Sequence, residues 1–430
     1  MARSLRSKLQ ALEQSTGHKT QGLQEEENEQ GLSLQALGFV YEDEGAGGFW
    51  HRRTACDLLN FYGRVRFGDI LQRDLSLLAR ACKVSPEDPG WRGPPDAMSL
   101  RFYDTETTGL GTGAGTLPFL HAVGQIEGDE WVVHQYFLND FQEEPALLAA
   151  IMNRHFQEGT LCVTFNGKTF DWPLLQNRLI LYGMTPPRTP VAQMDLLHPC
   201  RRLWRRSLPR VTLGQLELEL LHVARKDDLP GREAPARYFA YIHDRVIAGI
   251  RPVLDHNAAD VSALLALCVV VADVLNGRHV AESAGEYAAL ASWYSEWQDY
   301  DLAESCLMSA VQCPDATWRE YWLASLHYKR LNQWSQACNL WETMVENYRW
   351  STVPMVELAK YYEHHVRDYG HALHWTEAAL LRCRQEPLLS RSLMGQGPQN
   401  SHSEAMDDVL RALFHRKARI ERKLAAGPGP

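Results

Sequence analysis

The chain of 430 residues contains no CxxC pair, although it has nine cysteines. These cysteines stand singly along the chain, and their number is odd. A disulfide framework or a structural zinc site normally uses cysteines paired at short spacing. The sequence therefore argues against both kinds of site and favours reduced thiols, as in an intracellular protein.

Long apolar runs are also missing. The longest, residues 264–272, is far shorter than the roughly 20 residues that cross a bilayer. The start of the chain is basic, but no apolar stretch follows it as in a signal peptide. We therefore expect a cytoplasmic protein that does not associate with membranes.

An excess of positive charge is lacking as well, since the net charge is -9 at pH 7. Binding to a polyanion would need a local basic patch, and "PCRRLWRRSLPR" at 199–210 is the candidate. Its arginines would attract phosphates, and its tryptophan could stack on a base or pack in the core. The candidate nucleic-acid-binding residues here are Arg201, Arg202, Trp204, Arg205 and Arg206.

The pattern of elements predicts two domains. Residues 1–30 are polar and without apolar periodicity, which is typical of a disordered arm, and residues 31–97 end in a linker rich in proline and glycine and have no assigned role. From residue 98 three strand-like runs follow one another, and helices then alternate with strands up to a helix at 254–275. This order predicts a mixed sheet in a ribonuclease H-like α/β fold over residues 98–278.

A second pattern begins after residue 278. Small and aromatic residues recur at intervals of 34 or 35, which is the tetratricopeptide period of stacked helix pairs. The recurring positions are Tyr294, Tyr328 and Tyr362, then Ala303, Ala337 and Ala372, then Tyr300, Trp334 and Tyr369. The sequence predicts an all-α repeat domain at 279–390 that binds a protein partner, followed by a tail at 391–430 with a possible capping helix.

The stretch "DTETTGLGTGAGT" from residue 104 allows two interpretations. Gly109, Gly111 and Ala114 fit a GxGxxA dinucleotide fingerprint, but that motif needs a helix directly after the glycines, and here a second strand-like run follows. Asp104 and Glu106, in contrast, are two residues apart on a strand and therefore share one face. Adjacent carboxylates repel each other unless a divalent cation binds, so we expect a metal site and no dinucleotide cofactor.

Further acids occur at two positions downstream. Asp171 stands at a predicted strand-to-helix junction, where it could also be an ordinary helix cap. Asn166, five residues earlier, is a further candidate nucleic-acid-binding residue. His256 and Asp260 are four apart on a predicted helix and therefore share a face, as many surface pairs do.

Three segments in this order, "DTE", "NGKTFDWPLL" and "HNAAD", resemble the exonuclease motifs of the DEDD superfamily. Over residues 98–275 the chain more closely resembles the YprB-like ribonuclease H-like proteins of bacteria. The resemblance implies 3′ to 5′ exonucleolysis with two Mg²⁺ or Mn²⁺ ions, and it makes Asp195 a supporting residue near the site. The acids that would hold the ions are Asp104, Glu106, Asp171 and Asp260. One departure is that "HNAAD" combines a histidine with the spacing of the superfamily's tyrosine branch.

The sequence thus favours a metal-dependent 3′ to 5′ exonuclease that acts on single-stranded ends, with DNA somewhat preferred over RNA. In such an enzyme His256 could orient or deprotonate the attacking water, because its ordinary pKa lies near neutral pH. The alternative is an inactive nuclease-like scaffold that binds nucleic acid or protein.

Overall fold

A computed structural model describes residues 33–43, 47–84, 93–109, 111, 113, 115–184, 191–225, 229–385 and 399–426, with no side-chain description for 385 and 399–407. The chain divides into two compact units, Met1–Val280 and Ala281–Pro430. The predicted arm at 1–30 and most of the predicted linker before residue 97 lie outside the described residues.

The first unit combines strands and helices in the predicted order. Its strands are β1 Val40–Asp43, β2 Gly48–Asp57, β3 Phe61–Tyr62, β4 Val65–Arg66, β5 Leu100–Thr107, β6 Pro118–Glu127, β7 Glu130–Phe137, β8 Leu161–Thr164 and β9 Ala192–Asp195. Its α-helices are α1 Ser76–Ala81, α2 Glu144–His155, α3 Asp171–Leu181, α4 Leu197–Trp204, α5 Leu213–Leu216, α6 Ala234–Asp244 and α7 Ile247–Leu275. A π-helical turn, Glu217–Leu221, follows α5 directly.

Among the described residues, seven strands form one mixed sheet in the order β1-β2-β7-β6-β5-β8-β9. Strands β5, β6 and β7 make an antiparallel meander, and β8 and β9 continue the sheet parallel to β5. This arrangement confirms the predicted ribonuclease H-like α/β fold. Because β5, β8 and β9 run in the same direction, their carboxyl ends lie along one edge, which is where open α/β sheets place ligands.

The segment at 31–97 contributes to this sheet. Strand β2 pairs antiparallel with β7, and β1 pairs with β2 at the outer edge. A separate hairpin, β3–β4, is held by the backbone of the π-helical turn, since Arg64 donates its N–H to the carbonyl of Leu221 at 3.1 Å. The first compact unit therefore includes a segment for which the sequence indicated no role.

Helix α7 is the central helix of this unit and begins seven residues before the predicted start at 254. By length and composition it could cross a membrane, with a mean hydropathy of 2.2 over 18 residues, but 78% of that window is buried in the unit. It packs closely on the sheet where Gly124 leaves space for the Trp131 ring, which a Cβ would meet at 2.4 Å. The Trp131 indole N–H donates to the Ser262 hydroxyl at 3.1 Å, which ties β7 to α7.

The glycines of "GLGTGAGT" connect β5 to β6. The element after them is strand β6, which pairs antiparallel with β5 from Phe102 to Thr107. Leu110, Thr112 and Ala114 lie outside the described residues. The helix that a dinucleotide fingerprint requires is therefore replaced by a strand at this position.

The second unit is helical. Its helices are α8 Ala284–Glu296, α9 Tyr300–Gln312, α10 Trp318–Arg330, α11 Trp334–Asn347, α12 Val353–Tyr361, α13 Tyr369–Gln385 and α14 Gln399–Ala425. The second helix of each successive pair carries a fully buried alanine, and these are Ala303, Ala337 and Ala372. The predicted repeat of helix pairs is thus seen as spacing and packing, whereas its assignment as a tetratricopeptide array stays a prediction.

The predicted tail helix is α14, and it packs on the last helix pair. Leu413 is buried in a cluster with Met355 and Leu380. The buried Glu363 carboxylate accepts hydrogen bonds from Arg416, Arg419 and Lys423 at 2.8 to 2.9 Å. This helix therefore packs on the last helix pair, and its role as a capping helix stays a prediction.

Candidate active site

Strand β5 brings Asp104 and Glu106 to the carboxyl edge of the sheet. The pairing of β5 with β6 is regular through Glu106 and shifts only between Glu106 and Thr107, so both carboxylates project from the same face. Removal from solvent and the nearby carboxylates of Asp260, Asp171 and Glu106 raise the pKa of Asp104 well above its ordinary value. Burial, Asp260 and Asp171 raise the pKa of Glu106 to about 8.

Helix α7 places the third predicted motif beside these acids. The Nε2 atom of His256 lies 3.9 Å from Glu106 Oε1 and 3.4 Å from Asp260 Oδ2. The next residue, Asn257, is fully buried, and its amide donates to Asp104 Oδ2 at 2.9 Å. The two residues predicted on this helix therefore face the two predicted on β5.

Asp171 joins the cluster from the first turn of α3. The helix begins at Asp171, so Phe170 takes the N-cap position, and the Asp171 carboxylate instead accepts a hydrogen bond from the Thr105 hydroxyl on β5. Burial raises the pKa of Asp171 to about 6; the Thr105 hydrogen bond opposes this change, and the charges of Asp195 and Asp260 add to it. Its role as a helix cap is thus replaced by a contact with the acid-bearing strand.

One cation enters this cluster. The guanidinium of Arg225 lies 2.5 Å from Asp260 Oδ1, and it also contacts Glu217 at 2.8 Å. Within the described ranges no three His, Cys, Asp or Glu side chains already stand in the positions of a metal coordination shell. The donor set nevertheless fits a hard dication, because four clustered carboxylates offer the oxygen ligands that Mg²⁺ and Mn²⁺ prefer. Burial and neighbouring carboxylates raise the pKa values of Asp104, Glu106 and Asp171, and a bound cation would offset that repulsion.

Asp195 supports the loop that leads to Asp171. Its carboxylate accepts backbone N–H groups from Asn166 at 2.8 Å, Lys168 at 3.2 Å and Leu197 at 3.0 Å. Asn166 adopts a left-handed backbone, with φ of 72°, and its side chain is exposed at the start of this loop. Asp195 thus holds the backbone of this loop in place. Its role as a supporting residue of the site stays a prediction, as does a contact of Asn166 with nucleic acid.

The basic patch is divided between surface and core. Arg201, Arg205 and Arg206 are exposed on and after α4, and Arg202 is half-buried. Trp204 is only 3% exposed and belongs to the core. The prediction that Trp204 stacks on a base is therefore wrong for this conformation, because its ring packs inside the unit.

Some residues around the site were not among those predicted from the sequence. Asn257 directly follows His256, and Thr105 lies between Asp104 and Glu106. Their positions next to motif residues were the sequence signal that could have identified them. Arg225 and Glu217 lie in a segment without a recognisable motif, and the Tyr62 hydroxyl, which donates to Glu217, comes from the β3–β4 hairpin. Only the fold brings these last three to the site.

Comparison with known proteins agrees with this geometry. A model of the RNase_H superfamily matches residues 101–272, which include β5, α3 and the acid-bearing part of α7. The uncharacterized protein YprB of Bacillus subtilis (strain 168) is 34% identical over 290 residues, which span 66% of this chain and 69% of that protein. The chain belongs to the YprB-like family of the RNase H superfamily.

Proposed function

We propose that the protein is a metal-dependent 3′ to 5′ exonuclease that hydrolyses phosphodiester bonds at the ends of single-stranded nucleic acid, DNA somewhat in preference to RNA. The observation that carries this proposal is the meeting of Asp104, Glu106, Asp171 and Asp260 from three separate elements. Membership of the RNase H superfamily supports a nuclease.

The acids would act by holding two Mg²⁺ or Mn²⁺ ions. Bound ions of this kind lower the pKa of an attacking water and stabilise the leaving 3′ oxygen. Asp104 would hold the ions together with Asp260, Asp171 and Glu106, whose charges all act on its carboxylate. Asn257 and Thr105 orient Asp104 and Asp171 through hydrogen bonds. His256, beside Glu106 and Asp260, borders the space where the water would bind.

Substrate binding would rely on local charge. The exposed Arg201, Arg205 and Arg206 would attract phosphates electrostatically, and this attraction weakens as the salt concentration increases. Asn166 lies at the start of the loop before Asp171. The helical second unit would bind a protein partner through its stacked pairs, as repeats of this period do.

The second candidate is an inactive nuclease-like scaffold. The observation that favours it is the ion pair between Arg225 and Asp260, which occupies one oxygen of a proposed metal ligand. In this case the domain would still bind nucleic acid through its arginines, but added metal would release no nucleotides.

An end-labelled substrate distinguishes the two. Full-length protein is incubated with single-stranded DNA or RNA labelled at the 5′ or the 3′ end, with Mg²⁺, Mn²⁺ or EDTA. We expect stepwise shortening from the 3′ end that requires metal and is abolished in Asp104→Asn. Asp129→Asn, at the exposed turn between β6 and β7, is the matched control. Equal activity of wild type and Asp104→Asn would contradict the proposal.

A further inference from the structure

Arg225 touches both residues of the third motif. Its Nη1 lies 3.1 Å from His256 Nδ1, and its Nη2 lies 2.5 Å from Asp260 Oδ1. On its other side, Nε and Nη2 donate to Glu217 Oε1 at 3.0 and 2.8 Å. A single guanidinium therefore links α7 to the π-helical turn after α5.

The contact with His256 determines which ring nitrogen carries the proton. A guanidinium has five N–H donors and no acceptor, so the nitrogen facing it must accept. His256 Nδ1 is therefore unprotonated, and the proton of the neutral ring lies on Nε2. This nitrogen faces Glu106 Oε1 and Asp260 Oδ2, at 3.9 and 3.4 Å.

Arg225 is itself held firmly in this position. Glu217 is buried, with a side chain only 2% exposed, and losing its guanidinium partner would leave a buried charge without compensation, which is costly. The Tyr62 hydroxyl donates to Glu217 from the other side. The hairpin that carries Tyr62 approaches the π-helical turn closely, because a Cβ at Gly63 would meet the Leu221 carbonyl oxygen at 2.1 Å.

We propose that Arg225 is a positioning residue that fixes His256 as the Nε2–H tautomer. His256 then presents a hydrogen-bond donor to the acid cluster and to the reacting groups, and orients the attacking water or the phosphate without taking a proton through Nε2. This role rests on the proposed function, but the tautomer itself does not depend on activity. The proposal also assigns a role to the 31–97 segment, since Tyr62 donates a hydrogen bond to Glu217, which in turn binds Arg225.

The tautomer is measured directly by nitrogen NMR of the full-length, metal-free protein labelled with ¹⁵N-histidine. The His256 signals among the 17 histidines are assigned by their loss in His256→Gln. We expect a protonated Nε2 and an unprotonated Nδ1 in wild type. In Arg225→Met we expect that His256 no longer occupies this one tautomer exclusively. The double variant Arg225→Met with Glu217→Gln removes the stranded buried charge if the single variant fails to fold. The control is Arg251→Met, since Arg251 is an exposed arginine of α7, the helix that carries His256. This variant should leave the His256 tautomer unchanged.

Activity supplies the second measurement. The amide nitrogen of glutamine can replace an Nε2–H donor, whereas leucine cannot. We therefore expect kcat of His256→Gln to stay within about tenfold of wild type and kcat of His256→Leu to fall by about 10²-fold or more, as for the loss of one preorganised hydrogen-bond donor. Arg225→Met should lower kcat more than it changes KM.

Any of three results would overturn the proposal. The first is a protonated Nδ1 in wild type, and the second is an unchanged tautomer in the folded double variant. The third is glutamine as damaging as leucine at position 256. If the protein shows no nuclease activity with any metal, the proposed function fails, and the NMR result alone then decides whether Arg225 sets the tautomer.

Discussion

Asn257 on α7 donates a hydrogen bond to the carboxylate of Asp104 on β5, at 2.9 Å and across 153 residues of sequence. The amide is fixed at both ends, because its oxygen accepts from Gln135 at 3.2 Å. Gln135 in turn accepts from Arg52 of β2 at 2.9 Å. A continuous set of hydrogen bonds thus runs from the N-terminal strands to the central acid of the candidate site.

Replacing Asn257 by leucine should reduce stability. The substitution removes the amide that donates to the buried Asp104 carboxylate, and such a loss costs about 1–3 kcal/mol. Gln135 loses its bond to Asn257 but still donates to the Leu254 carbonyl at 2.7 Å. Urea unfolding of wild type and Asn257→Leu measures the difference. A midpoint equal to that of wild type would show that the hydrogen bond contributes no net stability.

Divalent metal should raise the melting temperature. Binding to the folded state stabilises it by about 2.7 kcal/mol when the free ion is at 100 times its Kd, and four clustered carboxylates provide the ligands. We expect Mg²⁺ or Mn²⁺ to shift the thermal transition of wild type and of Asp129→Asn upward, and to have a much smaller effect on Asp260→Asn. An equal shift in all three proteins would place the bound ion elsewhere.

Two buried histidines should each make a destabilising contribution as the pH falls. Burial lowers the pKa of His121 to about 3, and burial with nearby positive charge lowers the pKa of His155 to about 2. The unfolded chain takes up these protons near pH 6.5 and the folded chain does not, so each residue reduces the free energy of unfolding by about 1.4 kcal/mol per pH unit below that pH.

Chemical unfolding at pH 7, 6 and 5 tests this for wild type and His155→Gln. His155 contacts the Tyr136 hydroxyl at 2.7 Å and Gln125 Oε1 at 2.9 Å, which glutamine can partly preserve. The raised pKa values of Asp104, Glu106 and Asp171 act in the opposite direction over this range. All three acids are present in both proteins, so the difference between the two slopes isolates the histidine. Identical slopes would contradict the assignment.

Charge reversal on the basic patch should weaken binding to single-stranded DNA. If both arginines contact phosphates, the double variant Arg205→Glu with Arg206→Glu should make the slope of log affinity against log salt shallower by about 1.4, since each contact on a single strand contributes about 0.7. Fluorescence anisotropy with a labelled oligonucleotide measures this slope. The same charge change at Arg349 and Arg411, both exposed in the second unit, is the control, and equal effects of the two double variants would argue against a specific patch.

Features set by local pattern could be predicted from the sequence. Strand periodicity predicted the three consecutive strands β5, β6 and β7 after residue 98, and the 34-residue spacing predicted the helix pairs of the second unit. Asp104 with Glu106, and His256 with Asp260, share a face because a strand repeats every two residues and a helix nearly every four. These are short-range properties, which a sequence carries in its spacing.

Features set by distant contacts could not. Arg225 contacts His256, which is 31 residues away in sequence, and Tyr62 donates a hydrogen bond to Glu217, which is 155 residues away. Arginines flank Trp204 in sequence, as in a surface patch, yet its ring is buried because the rest of the unit covers it. Whether a side chain faces solvent or core depends on elements that are remote in sequence, and spacing does not encode their approach.

The sequence by itself determined the acids, the order of the strands around them and the rhythm of the helical repeat, because each follows from the period of a single element. Only the tertiary structure decided that the four acids meet, that β1 and β2 extend the sheet, and that an arginine outside every motif contacts His256. The physical reason is that charge clustering, burial and the choice of a histidine tautomer are set by distances across the fold.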